Sequence, residues 1–286
     1  MQLVTWNTQW CRGLDGAVSP DRIVEGARAL APDFDVLCLQ EIAQGFDTLP
    51  GAPGDQPAEL QGLLPGFSLF FGAAVDEVDP HGRRQRFGNL VAARLPVARV
   101  QHHALPWPAD PAQPSMPRMC TSLTVLSPEL GPVRVMTTHL EYYSAPQRMA
   151  QAQALRALHA EACAQALAPP LAEEPGSPFQ PKVHTPQAVL CGDFNMPPTD
   201  PAYAALLQSF EPVPGAPQRL LDAWRIVHGA TPHAPTFRLF DRRYGPEPVA
   251  CDFVFVSDEL APRVARIAVD PATQVSDHQP VVVELR

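Results

Sequence analysis

The chain has 286 residues, 45% of them apolar and 18% charged, with a formal net charge of −9. This is globular composition with ample core, and it excludes disorder as a description of the whole. The acidic balance excludes a protein that holds nucleic acid by bulk electrostatics, while a nuclease with a local basic rim and a metal stays compatible with it. The six cysteines contain no Cys-x-x-Cys pair, and Cys38, Cys191 and Cys251 sit inside apolar runs, where a small buried hydrophobe is the simpler role. The chain opens directly on a strand pattern, with no basic segment followed by a long apolar stretch. No apolar run approaches the roughly 18 residues of a membrane span, so a cytoplasmic protein without a span is expected.

In chain order, Leu3 to Trp6 reads as a strand ending at Asn7. Ser19-Pro20 opens a helix with Ser at the N-cap and Pro at the first position; Ile23, Val24, Ala27 and Leu30 share its buried face, and Pro32 ends it. Asp35 to Leu39 is a buried strand followed at once by Gln40-Glu41. Residues 50–57 read as a loop and Phe67 to Ala73 as a strand. The run His81-Gly82-Arg83-Arg84-Gln85-Arg86 is the densest basic cluster of the chain, either a solvated loop or a rim that meets substrate phosphates through Arg83, Arg84 and Arg86. Asn89 to Arg94, Val97 to Ala104, Met119 to Leu126 and Pro132 to Thr138 follow as strands, with a proline-rich loop at 105–117. His139 closes the last of them. Pro146 to Leu167 has helical spacing, residues 169–186 form a proline-rich loop, and Ala188 to Cys191 is an apolar run that breaks at Gly192 and delivers Asp193 and Asn195. A short helix is expected at Ala202 to Leu207, an amphipathic helix at Leu220 to His228, a strand at Thr236 to Phe240 and a second basic turn at Arg242-Arg243. The buried strand Cys251 to Val256 carries Asp252, and a last strand pair, Val264 to Val269 and Pro280 to Leu285, encloses Ser276-Asp277-His278-Gln279.

Asn7, Glu41, His139, Asp193, Asn195, Asp252, Asp277 and His278 therefore all lie at or beside strand ends, where a rigid scaffold positions polar groups at solvent. For Glu41 the alternative is a solvated strand end, and for Asp193 and Asn195 an Asx turn. Four carboxylates, two amides and two imidazoles suit a hard cation such as Mg2+ or Mn2+, and zinc would want more His or Cys. Phosphoryl chemistry uses such a set. A cation stabilises developing charge, amides and imidazoles hold phosphate oxygens, and a carboxylate orients or deprotonates water.

The ordered motifs Thr5-Trp6-Asn7, Leu39-Gln40-Glu41, Thr138-His139-Leu140, Gly192-Asp193-Phe194-Asn195, Asp252-Phe253-Val254-Phe255 and Ser276-Asp277-His278-Gln279-Pro280 resemble the endonuclease/exonuclease/phosphatase superfamily. That group includes pancreatic deoxyribonuclease, abasic-site endonucleases, inositol polyphosphate 5-phosphatases and bacterial sphingomyelinases. The resemblance spans the chain as one domain, 1–286, and implies an α/β four-layer sandwich of two packed mixed β-sheets flanked by α-helices. It implies Glu41 as the principal metal ligand with Asn7 and Asp277 close to the metal, Asp193 orienting or activating water, and Asn195 binding a phosphate oxygen or holding Asp193. It further implies His278 at the scissile phosphate with Asp252 orienting it. His139 matches the deoxyribonuclease and phosphatase branches, where abasic-site enzymes carry tyrosine. The expectation is a Mg2+-dependent phosphodiesterase or nuclease acting on a phosphoester, DNA or RNA included, as a monomer. Its alternatives are a small-molecule, inositol or lipid phosphoesterase and a non-catalytic nucleic-acid-binding regulator on the same fold.

Overall fold

The computed structural model describes residues 1–171, 178 and 182–286. In chain order the elements are β1 (Gln2–Asn7), α1 (Pro20–Leu30), β2 (Val36–Gln44), α2 (Gln56–Leu63), β3 (Ser68–Val78), β4 (Arg84–Ala93), β5 (Val97–Ala104), β6 (Met119–Ser127), β7 (Gly131–His139) and α3 (Ala145–Leu167). They continue with β8 (Ala188–Asp193), α4 (Pro201–Leu206), β9 (Leu220–Asp222), α5 (Ala223–His228), β10 (Asp252–Ser257), β11 (Val264–Val269) and β12 (Val281–Leu285). Two six-stranded sheets result, ordered β11-β12-β1-β2-β4-β3 and β5-β6-β7-β8-β10-β9.

Alternation along the strands sets the layers, because successive side chains point to opposite faces. Leu3, Val36, Cys38 and Val91 of the first sheet meet Leu123, Val135, Val189 and Val254 of the second in the central core. Val4, Trp6, Leu37 and Leu39 face the other way, onto Ile23 and Val24 of α1 and Leu60 of α2. Met136, Leu190 and Phe255 face α3 and α4 through Ala152, Leu155, Tyr203 and Leu206. The order is helix, sheet, sheet, helix. Among the described residues, no helix is long and apolar enough to cross a membrane.

Each sheet holds one parallel pair linked through a helix, β1 with β2 and β7 with β8. In these pairs Asn7 stands opposite Gln40 and His139 opposite Asp193, so the carboxyl ends of both pairs deliver polar residues to one edge of the sandwich. The antiparallel strand β10 enters that edge with Asp252 opposite Asp193. β12 leaves it with Val281 opposite Thr5, just after Asp277 and His278.

Local expectations failed at four places. α2 occupies residues read as the end of a loop and beyond: Asp55 caps it by accepting from the Ala58 N–H at 3.1 Å, with Pro57 in its first turn. Only Gln56 and Leu60 of this helix are buried, which leaves little apolar periodicity to detect. The β3–β4 hairpin is longer than expected and carries Arg84 and Arg86 on a strand. Leu220 to His228 is a short strand followed by a short helix, because Asp222 pairs with Phe255 and then caps α5. Thr236 to Phe240 forms no strand, only isolated bridges from Phe237 to Val249 and His278. Of the loop expected at 169–186, residues 172–177 and 179–181 lie outside the described ones.

Candidate functional site

The eight residues expected at strand ends converge at one edge, except that β2 runs on to Gln44 and so presents Glu41 from within the strand, and backbone conformation helps to aim them. Glu41 (φ 61°) and Asn195 (φ 50°) occupy the left-handed region, which non-glycine residues rarely adopt and which recurs at functional sites. Glu41 lies within the shift of register between Leu39 and Ile42 on β2, which turns its side chain out of the strand alternation. Gly192 has φ 135°, and a Cβ there would stand 2.0 Å from the Thr138 carbonyl oxygen; only glycine lets β8 approach β7 closely enough to seat Asp193 beside His139.

Asp193 is the hub. Its Oδ2 accepts from Asn7 Nδ2 at 2.9 Å and lies 3.4 Å from His139 Nε2 and 3.8 Å from His278 Nε2. Its Oδ1 accepts the Asn195 N–H at 2.8 Å. The same Asn7 nitrogen donates to Glu41 Oε1 at 3.0 Å, and the Asn7 oxygen accepts the Gln9 N–H, so this amide spans two carboxylates. Asn195 donates to His139 Nε2 and to the Leu140 carbonyl, each at 2.9 Å. His278 donates from Nδ1 to Asp252 Oδ2 at 2.9 Å, and its backbone is fixed by Trp6 Nε1 and by Ser276 Oγ, which itself donates to the Asn7 carbonyl.

Electrostatics separate the two imidazoles. Burial, together with Arg118 and His278 nearby, holds His139 well below the ordinary histidine range and neutral. With Nε2 accepting from Asn195, its proton sits on Nδ1, 3.9 Å from Glu41 Oε1. Burial also opposes a charge on His278, but Asp252 and Asp193 beside it outweigh that and raise its pKa well above the ordinary value. The acids move upward: Glu41 to about 7 through burial and then Asp277, and Asp193 to about 6 through burial, with Asp252 adding to the rise. Burial raises Asp277 as well.

These acids are crowded, largely desolvated and short of cations: among the described residues no Lys or Arg lies within ion-pair distance of Glu41, Asp193 or Asp277. A divalent cation is the group such an oxygen set fits. A buried cluster of Asp193, Cys251, Asp252 and His278 also brings its ligand atoms within 4.8 Å of one another. There, however, Asp252 and His278 are engaged with each other, and burial keeps the Cys251 thiol protonated.

Sequence patterns pointed to neither Gln9 nor the walls of the cleft. Gln9 Nε2 donates to Asp277 Oδ2 at 2.9 Å; its position two residues beyond the strand-end Asn7 is the only signal it gave. The cleft, about 280 Å³, is lined by Trp10, Phe87, Tyr142, Tyr143, Phe237 and Tyr244 around the polar floor. Arg118 reaches it too, donating from Nε to Glu141 at 3.2 Å. The basic runs do not line it. Arg83 pairs with Asp47 and Asp79, Arg84 with Asp76 and Arg243 with Asp241, while Arg86 lies over the Phe71 ring and Arg242 donates to the Pro246 carbonyl.

Two facing sheets with carboxylates, amides and imidazoles gathered at one edge define an acidic centre able to take a divalent metal. The profile of the Endonuclease/Exonuclease/phosphatase family matches residues 4–278, and the chain belongs to this family, whose members are mostly hydrolases. It is similar to the crystal structure of an endonuclease/exonuclease/phosphatase from Beutenbergia cavernae, with 25% identity, TM-score 0.66, and 100% of this chain and 71% of that one covered. It is similar in fold to the mannosyl-6-phosphatase of Bacteroides thetaiotaomicron, at 19% identity and TM-score 0.64, covering 100% and 99% of the two chains. The same holds for truncated TDP2 of Caenorhabditis elegans, at 15% identity and TM-score 0.61, covering 100% and 97%. Among curated proteins, none matches the chain.

Proposed function

We propose that this protein is a Mg2+- or Mn2+-dependent phosphodiesterase that hydrolyses a compact diester by attack of water on phosphorus. The observation that carries the proposal is the placement of Asp193 within 3.8 Å of both His139 and His278, beside Glu41 and Asp277, which have no Lys or Arg within ion-pair distance among the described residues. Glu41 and Asp277, with Asp193 close by, are the oxygen donors that would hold the cation, and once bound it would supply charge stabilisation for a phosphoryl oxygen. Asp193 Oδ2 takes the proton of the attacking water. The His278 imidazolium, kept charged and oriented by Asp252, holds a phosphoryl oxygen by a hydrogen bond as the ester P–O bond breaks; the departing alkoxide takes up a proton from water and Asp193 releases its own to solvent, giving a monoester and an alcohol. Asn195 and Asn7 are positioning residues: one fixes the His139 tautomer, the other spans Glu41 and Asp193.

The compact substrate follows from the arginines. A polymer engages several phosphates through cations that are free to meet them, and here Arg83, Arg84 and Arg243 are each occupied by a carboxylate of the chain. The test is a hydrolysis panel with Mg2+ and with EDTA, covering bis(p-nitrophenyl) phosphate, nucleoside phosphodiesters, DNA, RNA and inositol phosphates. Cleavage of small diesters that stops with EDTA is expected; turnover confined to phosphomonoesters or to DNA would refute the substrate class.

A further inference from the structure

On the outer face of the second sheet the apolar contact with α3 does not extend across β5, β6 and β7. Where Met136, Leu155 and Leu190 fill the middle of that face, its far end is polar: Arg99 on β5, Ser122 and Thr124 on β6 and Arg134 on β7 line a small cavity closed by Glu161 and Gln165 of α3. His103 and His184 complete it, and its volume of about 30 Å³ exceeds what one water-sized oxygen needs.

Arg134 is the anomaly. It is only 7% exposed, and among the described residues no carboxylate lies within ion-pair distance of it. Its NH2 meets His159 Nδ1 at 2.5 Å, its NH1 meets the Met136 sulfur at 3.7 Å, and its buried Nε has no partner. Both partners are neutral, since burial and then Arg134 itself depress His159 to about 3. Glu161, the acid that lines the cavity, is exposed and accepts from Gln165 at 3.2 Å. A desolvated guanidinium needs a counter-charge, and in a chain of net charge −9 a carboxylate would have been easy to place there. Besides Glu161 the lining holds a second arginine, two histidines and hydroxyls, donors suited to an oxyanion, and Glu259 is a further acid whose charge reaches Arg134 without pairing with it.

We propose that this cavity, with Arg134 at its floor and Arg99 at its mouth, binds a small tetrahedral oxyanion of the phosphate or sulfate type. It is separate from the strand-edge centre: Arg134 precedes His139 by five residues on β7, about 16 Å at ~3.3 Å per residue. The hydrogen-bond donors on both sides of the cavity link β5, β6 and α3, so the ligand would brace this end of the sandwich.

Thermal unfolding of the full chain in EDTA tests this, with inorganic phosphate, sulfate or acetate titrated against choline chloride at constant ionic strength. A saturable rise in Tm with phosphate and sulfate, absent with acetate, is expected for the wild type. Arg99→Gln should need roughly tenfold more phosphate, Arg134→Met should lose the response, and His278→Ala should keep it. If Arg134→Met does not fold, Arg99→Gln decides alone. Equal Tm in phosphate and chloride, a wild-type titration in Arg99→Gln, or loss of the response in His278→Ala would each overturn the site. Diester hydrolysis by Arg99→Gln is expected at the wild-type rate, so the two proposals fail independently.

Discussion

His278 donates from Nδ1 to Asp252 Oδ2 at 2.9 Å, and the far nitrogen of the same ring points back toward Asp193 at 3.8 Å. The ring also lies nearly parallel to Phe237, with centroids 4.3 Å apart and planes 20° from each other. Its charge and plane are thus both fixed from outside the ring. In the proposed mechanism Asp252 acts through His278, so Asp252→Asn and His278→Ala should be strongly non-additive. The double variant is expected to retain about the activity of His278→Ala, each single change costing on the order of 10²- to 10⁴-fold in kcat. Rate losses that multiply would remove the pair from the chemistry.

Glu41 lies within the electrostatic reach of Asp277, no cation of the chain is within ion-pair distance of either among the described residues, and both carboxyls are raised by burial. Glu41→Gln keeps the hydrogen bond from Asn7 and removes one buried negative charge. The variant should fold, lose the rise in Tm that Mg2+ gives the wild type, and fall at least about 100-fold in Mg2+-dependent turnover. An unchanged Mg2+ titration would exclude Glu41 as a ligand.

His159 offers a pH prediction away from the strand-edge centre. It is fully buried between Arg134, the Cys163 sulfur at 3.7 Å and the edge of Phe210, and its pKa falls to about 3. Between the ordinary 6.5 and about 3 the unfolded chain binds a proton here that the folded chain refuses, so stability is intact above 6.5 and is lost as pH falls through this window. The loss attributable to this group is on the order of 4 kcal/mol at the acid end. Urea unfolding of His159→Gln should therefore show a flatter decline between pH 6.5 and 4 than the wild type; parallel curves would mean that His159 does not titrate against folding.

Arg83 and Arg84 are more than half exposed, and solvent screening leaves such ion pairs little stabilising effect. They tie the β3–β4 hairpin together more than they present charge. Replacing Arg83, Arg84 and Arg86 by Ser should leave KM for bis(p-nitrophenyl) phosphate within about twofold. The salt dependence of any DNA binding should correspond to less than one phosphate, a slope under roughly 0.9 log units per log salt. A steep slope that the triple variant flattens would restore the basic run as a phosphate-binding rim.

The sequence made the strand-edge chemistry legible because apolar runs that break at a polar residue are local patterns, and Asn7, Glu41, His139, Asp193, Asp252 and His278 each end or begin one. The order of the sheets was legible only through the resemblance, since nothing local pairs β8 with β10. Gln9 and Arg118 were invisible because single polar residues acquire partners only in three dimensions: Gln9 meets Asp277 across 268 positions. The ion pairs of Arg83 and Arg84 were invisible for the same reason, as the acids that occupy them lie at 47, 76 and 79.

The aromatic wall is the other tertiary feature, assembled from residues as distant as Tyr142 and Tyr244. Tyr142 stands edge-on to Tyr143 at 4.8 Å and to Tyr244 at 6.4 Å, Tyr244 leans on Phe237 at 5.8 Å, and Phe237 lies against His278. Tyr143 and Tyr244 are about half exposed, an unusual outlay of aromatic surface on one side of a polar floor. Stacking of one planar group there would be worth about 1–3 kcal/mol and would place the adjoining phosphate near His278. Tyr142→Ala and Tyr244→Ala are therefore expected to raise KM roughly tenfold for diesters that carry an aryl or nucleoside group, with kcat little changed. Dimethyl phosphate and other small alkyl diesters, which have nothing to stack, should show no such rise. A uniform loss across both kinds of diester would make the wall a structural support for His278 rather than a binding surface for the leaving or retained group.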